Sequence, residues 1–291
     1  MRNLKGSGVA LVTPFTEDHE IDFESLGNIL RHTAQDSDYW VVMGTTGESA
    51  TLEEEEKQEV LSFVLDNNPE NLPIVYGVGG NDTRSVVKRL KQSNLEGVDA
   101  VLSVSPYYNK PSQEGIIRHF TAVADASPKP VILYNVPGRT GSNMSAETTL
   151  KLAEHENIIG IKEASGDLNQ CIEIAKHKPA DFLLISGDDM LTTSLISFGG
   201  AGVISVLANA FPALMGKMTN AALQGDFGVA SNALFALSSI NPHMYTESNP
   251  VGVKAAMEIL GVCKGHVRLP LAEASEGLRA NIEAEIKKMG L

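Results

Sequence analysis

Residues 158–167 read Ile158-Ile159-Gly160-Ile161-Lys162-Glu163-Ala164-Ser165-Gly166-Asp167, an apolar, largely β-branched run that ends in turn-forming residues. Such a run reads as a strand buried on both faces that enters a loop at its carboxyl end. The same pattern recurs at Val9–Val12, Trp40–Met43, Ile74–Gly77, Ala100–Val104, Val131–Tyr134, Phe182–Ser186 and Gly202–Ser205. Helical patterns of roughly ten to fifteen residues separate most of these runs, the spacing of repeated strand–helix units. The units predict an α/β fold: a parallel (β/α)8 barrel of the TIM type with its helices outside. An open doubly wound sheet would call for a glycine-rich phosphate loop after its first strand, whereas Val12 leads into Thr13-Pro14-Phe15.

The alternation stops after the eighth run. Phe211-Pro212 opens a helix that Gly225-Asp226 breaks, and the remainder reads as helices separated near Asn241-Pro242 and Gly265. The expected division is a barrel over 1–224 and a C-terminal helical domain over 225–291. Between the second and third runs, Thr51 followed by Glu54 has the spacing of a capping box, and Glu53 to Glu56 place negative charge in a first helical turn.

With 291 residues, 43% of them hydrophobic and 20% charged, the chain has the composition of a globular protein with a sizeable core. A formal charge of -13 argues against nucleic-acid or anionic-membrane partners, which require basic surfaces. The two cysteines, Cys171 and Cys263, fall in segments that read as helical, so no disulfide framework is expected. The segment Met1–Gly8 is polar and precedes no long apolar stretch, which predicts neither a signal peptide nor a membrane span and hence a cytoplasmic location. The seven histidines are scattered without metal-ligand spacing, and there is no dinucleotide fingerprint, P-loop or serine nucleophile elbow. No metal or cofactor is expected.

In a barrel of this kind the chemistry sits at the carboxyl ends of the strands. The residues there are polar and glycine-rich. After the second run comes Gly44-Thr45-Thr46-Gly47-Glu48-Ser49, in which the two glycines would let successive amides turn inward as an anion nest. After the fourth stands Ser105-Pro106-Tyr107-Tyr108-Asn109, and the fifth ends Tyr134-Asn135-Val136-Pro137-Gly138-Arg139-Thr140-Gly141. A strand-end tyrosine in a hydrogen-bonded relay can pass protons, and a guanidinium at the mouth can clamp a carboxylate in two bonds. Lys162 closes its own strand, where burial favours the neutral amine that attacks a ketone to form a Schiff base. Taken singly, each residue also has a structural reading: a solvated lysine, a packing tyrosine, a surface arginine. Together on neighbouring strand ends they make a site for an α-keto acid, with the nest for its carboxylate, the lysine for its ketone and the tyrosine for its protons.

The three motifs Gly44–Ser49, Tyr134–Gly141 and Ile159–Asp167 resemble those of the dihydrodipicolinate synthases, pyruvate-dependent class I aldolase barrels. The resemblance spans nearly the whole chain, including Ser248-Asn249-Pro250, Val253-Lys254 and Arg268-Leu269-Pro270. It implies that Lys162 forms the Schiff base with pyruvate and that Tyr134 relays protons with Thr45 and Tyr108, the last reaching across a tight dimer into the partner's site. It further implies that Thr46 holds the pyruvate carboxylate, that Arg139 holds the carboxylate of aspartate 4-semialdehyde, and that the backbone of Gly187 and Ile204 completes the pocket. The same resemblance implies a homotetramer built from tight dimers or a dimer alone; the dimer is the firmer expectation, because Tyr108 would lack its role in a monomer. N-acetylneuraminate lyase and sugar-acid aldolases share the lysine, tyrosine and threonines but lack the Gly138-Arg139 pair, which favours the synthase; a non-catalytic sensor on the same fold would have no use for the lysine and tyrosine together. Lysine-inhibited members carry an aromatic ligand and a glutamate at positions corresponding to Glu54, Lys57 and Ser85. Here only Ser49, Ala50, Asn81 and Tyr107 match that effector site, so weak or absent feedback by lysine is expected.

Overall fold

The structure, a computed structural model, describes residues 2–290. Its strands are β1 (Gly6–Ala10), β2 (Tyr39–Val42), β3 (Ile74–Gly77), β4 (Ala100–Val104), β5 (Val131–Asn135), β6 (Ile158–Glu163), β7 (Leu183–Ser186) and β8 (Gly202–Ser205). They run parallel in sequence order, and β1 pairs with β8 through Gly6 and Gly202, so the sheet closes on itself as the strand–helix alternation predicts. Around it lie α1 (Phe23–Ala34), α2 (Glu54–Asp66), α3 (Thr83–Gln92), α4 (Gln113–Ala126), the short α5 (Pro137–Thr140), α6 (Ala146–Leu152), α7 (Leu168–His177), α8 (Thr192–Ser197) and α9 (Pro212–Leu223). Three further helices follow: α10 (Phe227–Ser238), α11 (Val251–Ile259) and α12 (Glu276–Met289).

Alternation along each strand divides the apolar residues into two clusters. One fills the barrel, with Ala10, Val41, Val75, Leu102, Ile132, Tyr134, Ile185 and Ile204 pointing inward. The other lies between sheet and helices, and there Leu237, Met244, Val253, Met257 and Ile282 of the C-terminal segment join Phe15, Leu26 and Met215 in one continuous core. The last three helices are therefore packed into the body of the molecule.

Two details differ from the sequence reading. The first strand begins at Gly6, three residues before the apolar run, because its glycines make room inside the barrel: a Cβ on Gly8 would lie 2.3 Å from the ring of Tyr39, whose hydroxyl donates to the Val203 carbonyl at 3.1 Å. Helix α2 is capped by Glu53, whose N–H donates to the Glu56 carboxylate at 2.8 Å, and not by Thr51, whose hydroxyl donates to the Glu48 carbonyl. Cys171 lies in α7 as read, whereas Cys263 lies in the turn beyond α11.

Among the described residues the most buried ion pair ties the barrel to the C-terminal helices. Lys254 of α11 and Glu48 of the loop after β2 pair at 2.5 Å, and both side chains are almost wholly buried. The Lys254 ammonium also donates to the His266 carbonyl at 2.8 Å and lies 4.2 Å from the centre of the Phe15 ring. The other Glu48 oxygen accepts the Arg268 N–H at 3.0 Å. Arg268 stacks on the same phenylalanine and grips Glu56 with both terminal nitrogens, at 2.6 and 2.8 Å. Removing one member of a buried pair leaves the other charge without compensation, which costs more than removing both. Lys254→Met is expected to lower unfolding stability by roughly 3–5 kcal/mol. The double variant Lys254→Met with Glu48→Gln should recover most of that loss, as read by urea denaturation; a double variant as unstable as the single one would refute the pairing.

Candidate active site

The carboxyl ends of β2, β3, β4 and β5 border a cavity of about 540 Å³ that opens at the barrel mouth. Its walls include Thr45, Tyr134, Arg139, Val136, Ser248 and Asn249. Lys162 stands next to Tyr134 in the strand register and faces the barrel interior with it. Its ammonium lies 4.5 Å from the centre of the Tyr134 ring, and the two residues are only 6% and 7% exposed. The neighbouring residues Asn135 and Glu163 point the other way, where Glu163 accepts from Asn135, Gln170 and the Ser165 N–H. Period-2 alternation thus separates a pair that faces the barrel interior from a pair that bonds among the helices outside it.

The loop after β7 crosses close beside the lysine. A Cβ on Gly187 would stand 3.0 Å from the Lys162 Cε and 2.5 Å from the Ala164 Cβ, so glycine is required there by space. Ile204, on β8, is buried in the interior cluster that also holds Tyr134.

The threonine loop differs from the anion nest expected of its glycines. Gly44 has φ -70°, and the amides of Gly47 and Glu48 are spent on turn bonds to the Gly44 and Thr45 carbonyls, both at 3.1 Å. The left-handed residue is Glu48 itself, at φ 53°, held there by its buried partners. What the loop offers a ligand is the start of a short 3₁₀ turn, where the Thr45 and Thr46 amides have no intrahelical acceptor, together with two hydroxyls. Thr46 is buried, and its Oγ1 accepts the Asn249 side-chain N–H at 3.0 Å. Arg139 sits on α5 at the mouth, exposed, and donates to the Asn249 carbonyl at 3.4 Å.

The fold therefore brings Lys162, Tyr134, Thr45, Thr46, Arg139, Gly187 and Ile204 to one end of the barrel. It does not bring Tyr108: that side chain is 88% exposed, on a left-handed backbone at φ 72°, and does not line the cavity. Of the residues matched to an effector site, Ser49, Ala50 and Tyr107 line the outer part of the same cavity, and Asn81 donates to the Tyr107 carbonyl at 3.1 Å. That part of the cavity also contains Glu54, Lys57 and Arg89. Glu54 pairs with Lys57 at 2.8 Å and with Arg89 at 3.5 Å. Partial burial acts to raise the Glu54 carboxyl, but these two cations outweigh it and hold the group below the ordinary carboxylate range.

Three residues at the site escaped the sequence reading of strand ends. Asp189, in the loop after β7, is buried; one oxygen accepts the Val206 and Leu207 amides at 3.2 and 3.0 Å and the other has no partner. Burial pushes its carboxyl above the ordinary range, against the Leu207 hydrogen bond and the nearby charge of Lys162. Glu48 and Asn249 act through the C-terminal segment, and their only sequence signal is the motif each belongs to. Among the described residues no group of three or more His, Cys, Asp or Glu is placed to hold a metal ion, and no helix is long and apolar enough to cross a membrane.

The profile of the Dihydrodipicolinate synthetase family matches residues 3–289. The chain belongs to that family. A 4-hydroxy-tetrahydrodipicolinate synthase of Cytophaga hutchinsonii is 50% identical over 284 residues, covering 97% of this chain and 96% of that one. Among solved structures, the dihydrodipicolinate synthase of Aquifex aeolicus superimposes with a TM-score of 0.94 at 39% identity, covering 99% of both chains. The enzyme of Cyanidioschyzon merolae, solved with lysine bound, gives 0.95 at 38% identity and covers 100% of both chains.

Because Gly187 leaves so little space beside Lys162, Gly187→Ala is expected to displace the lysine side chain while the barrel stays folded. The rate at which borohydride traps pyruvate on the protein should fall on the order of 100-fold. An unchanged trapping rate, with circular dichroism also unchanged, would show that the site tolerates the methyl group.

Proposed function

We propose that this protein condenses pyruvate with L-aspartate 4-semialdehyde through a Schiff base on Lys162, giving 4-hydroxy-tetrahydrodipicolinate, the first committed step of the diaminopimelate route to lysine. The observation that carries this reading is the placement of the Lys162 ammonium 4.5 Å from the Tyr134 ring centre, beside a cavity lined by Thr45 and Arg139. The names carried by the relatives favour it over sialic-acid or sugar-acid aldolase activity.

In this mechanism the neutral Lys162 amine adds to the ketone carbon of pyruvate, and loss of water leaves an iminium. The iminium is an electron sink, so a methyl proton can leave to a base and an enamine forms. Tyr134 carries protons in these steps, with Thr45 beside it and Tyr108 supplied by a second copy of the chain. Thr46 holds the pyruvate carboxylate; the Gly187 and Ile204 backbone completes the floor. The enamine carbon then attacks the aldehyde of the second substrate, whose carboxylate Arg139 clamps in two bonds. The substrate's own amino group, now in the same molecule, displaces Lys162 from the imine carbon, which closes the ring and frees the enzyme. Water is the one by-product of the net condensation.

The exposure of Tyr108 supports a homo-oligomer: a tyrosine aimed away from its own cavity serves this chemistry only in a neighbour's. We take a tight dimer as the working unit and a dimer of dimers as the full assembly, with residues 1–224 as the catalytic barrel, 225–291 as its helical buttress and the cytoplasm as the place of action. The decisive test is incubation with pyruvate and borohydride followed by peptide mass spectrometry. A reduced pyruvate adduct is expected on Lys162, none on Lys162→Ala, and the wild type should consume aspartate semialdehyde. An adduct without consumption of the semialdehyde would redirect the reading to another aldolase; no adduct would leave only a binding protein.

The outer part of the cavity bears on regulation. An incoming lysine would meet the ammonium of Lys57 and the guanidinium of Arg89, and the carboxylate beside them, Glu54, is already paired with both. Like charge at a binding site opposes the ligand. Millimolar lysine is therefore expected to change the turnover rate by less than about twofold, and clear inhibition below 1 mM, on the order of tenfold, would overturn this.

A further inference from the structure

We propose that Asn249, supplied by the C-terminal segment, is a positioning residue that turns the Thr46 hydroxyl toward the keto acid's carboxylate and anchors Arg139 beside it. The inference rests on the pyruvate reading given above and adds to it the residue that orients the carboxylate clamp. A threonine hydroxyl has one hydrogen and two lone pairs. The Asn249 amide donates into one lone pair at 3.0 Å, so the hydroxyl hydrogen cannot turn back toward that donor and is left for another acceptor. Thr46 is 3% exposed, which keeps water from competing for the same hydrogen. The carbonyl of Asn249 meanwhile accepts from the Arg139 guanidinium at 3.4 Å. One residue thus touches both groups assigned to bind carboxylates.

Asn249 is itself held on both sides. Ser248 before it takes a left-handed backbone at φ 84°, and α11 begins directly after Pro250. From α11 the buried Lys254 reaches Glu48, two residues beyond Thr46 on the same loop. Two ties therefore run side by side from the C-terminal segment to the threonine loop. The amide also carries a cost: its Oδ1 is buried and has no hydrogen-bond partner. An orphaned acceptor destabilises a fold, so an amide kept here for a single donated bond points to a role in positioning rather than in stability.

The test measures the pyruvate concentration that half-saturates borohydride trapping on Lys162, in the wild type, Asn249→Ala, Thr46→Val and the double variant. Loss of one neutral hydrogen bond should raise that concentration about 5- to 10-fold in Asn249→Ala. Because Asn249 acts through Thr46, the double variant should match Thr46→Val within about twofold, the sign of coupled residues. The KM for aspartate semialdehyde should move by less than about twofold in Asn249→Ala, since the carbonyl that meets Arg139 is retained. Multiplication of the two single effects, an unchanged half-saturation in Asn249→Ala, or parallel rises for both substrates would each overturn the inference. If Asn249→Ala fails to fold, Asn249→Ser, too short to reach Thr46, takes its place with the same expectations. A wild type that forms no pyruvate adduct would instead sink the functional reading itself.

Discussion

A lysine and a glutamate that meet at 2.5 Å, both out of reach of water, fix the geometry on which the rest of this molecule depends. Glu48 lies in a left-handed conformation that non-glycine residues rarely adopt, and it stays there because its two carboxylate oxygens are taken by Lys254 and the Arg268 amide. The loop between β2 and α2 is therefore shaped from outside by the C-terminal helices. The short turn carrying Thr45 and Thr46 inherits that shape, as does the register of α2, which Arg268 grips through Glu56. The last 65 or so residues thus complete the site instead of merely extending the barrel.

How much of this could be read in advance follows from where the determining contacts lie in sequence. Strands such as Ile74–Gly77 and Ala100–Val104 were legible to the residue because a strand buried on both faces must be mostly apolar. The start of β1 was not, since Gly6 and Gly8 look like a turn until Asp38 and Tyr39 are seen to fill the space they vacate. The placement of Lys162 and Tyr134 was legible because they are the polar ends of such strands, and parallel register then makes them neighbours.

The threonine loop shows the limit of local reasoning. Two glycines around two threonines suggest an anion nest, but nests require left-handed glycines, and here the left-handed residue is Glu48. The force that put it there comes from Lys254, some 200 positions later. No local pattern encodes that. Asn249 was hidden for the same reason, as a polar residue before a proline that reads as an ordinary turn. Tyr108 is the converse case: the motif marks it, yet its own chain leaves it facing outward.

The division between rigid and peripheral parts of the site also bears on how such a barrel can change what it makes. The proposed nucleophile and proton relay stand on adjacent strands, buried, each fixed by the ladder and by neighbours as close as the space beside Gly187. Arg139, which is assigned to the second substrate, stands on an exposed four-residue helix outside the ladder, tied to the rest through one long bond to the Asn249 carbonyl. Substitution at Arg139 disturbs no buried packing, whereas substitution at Tyr134 or Lys162 leaves a gap or a lost partner inside the barrel. The first step, capture of a keto acid, is thus bound to the fold, while the choice of what the captured carbon attacks is carried by a surface that can vary almost freely. A barrel built in this way would be expected to diversify by its second substrate long before it changed its first.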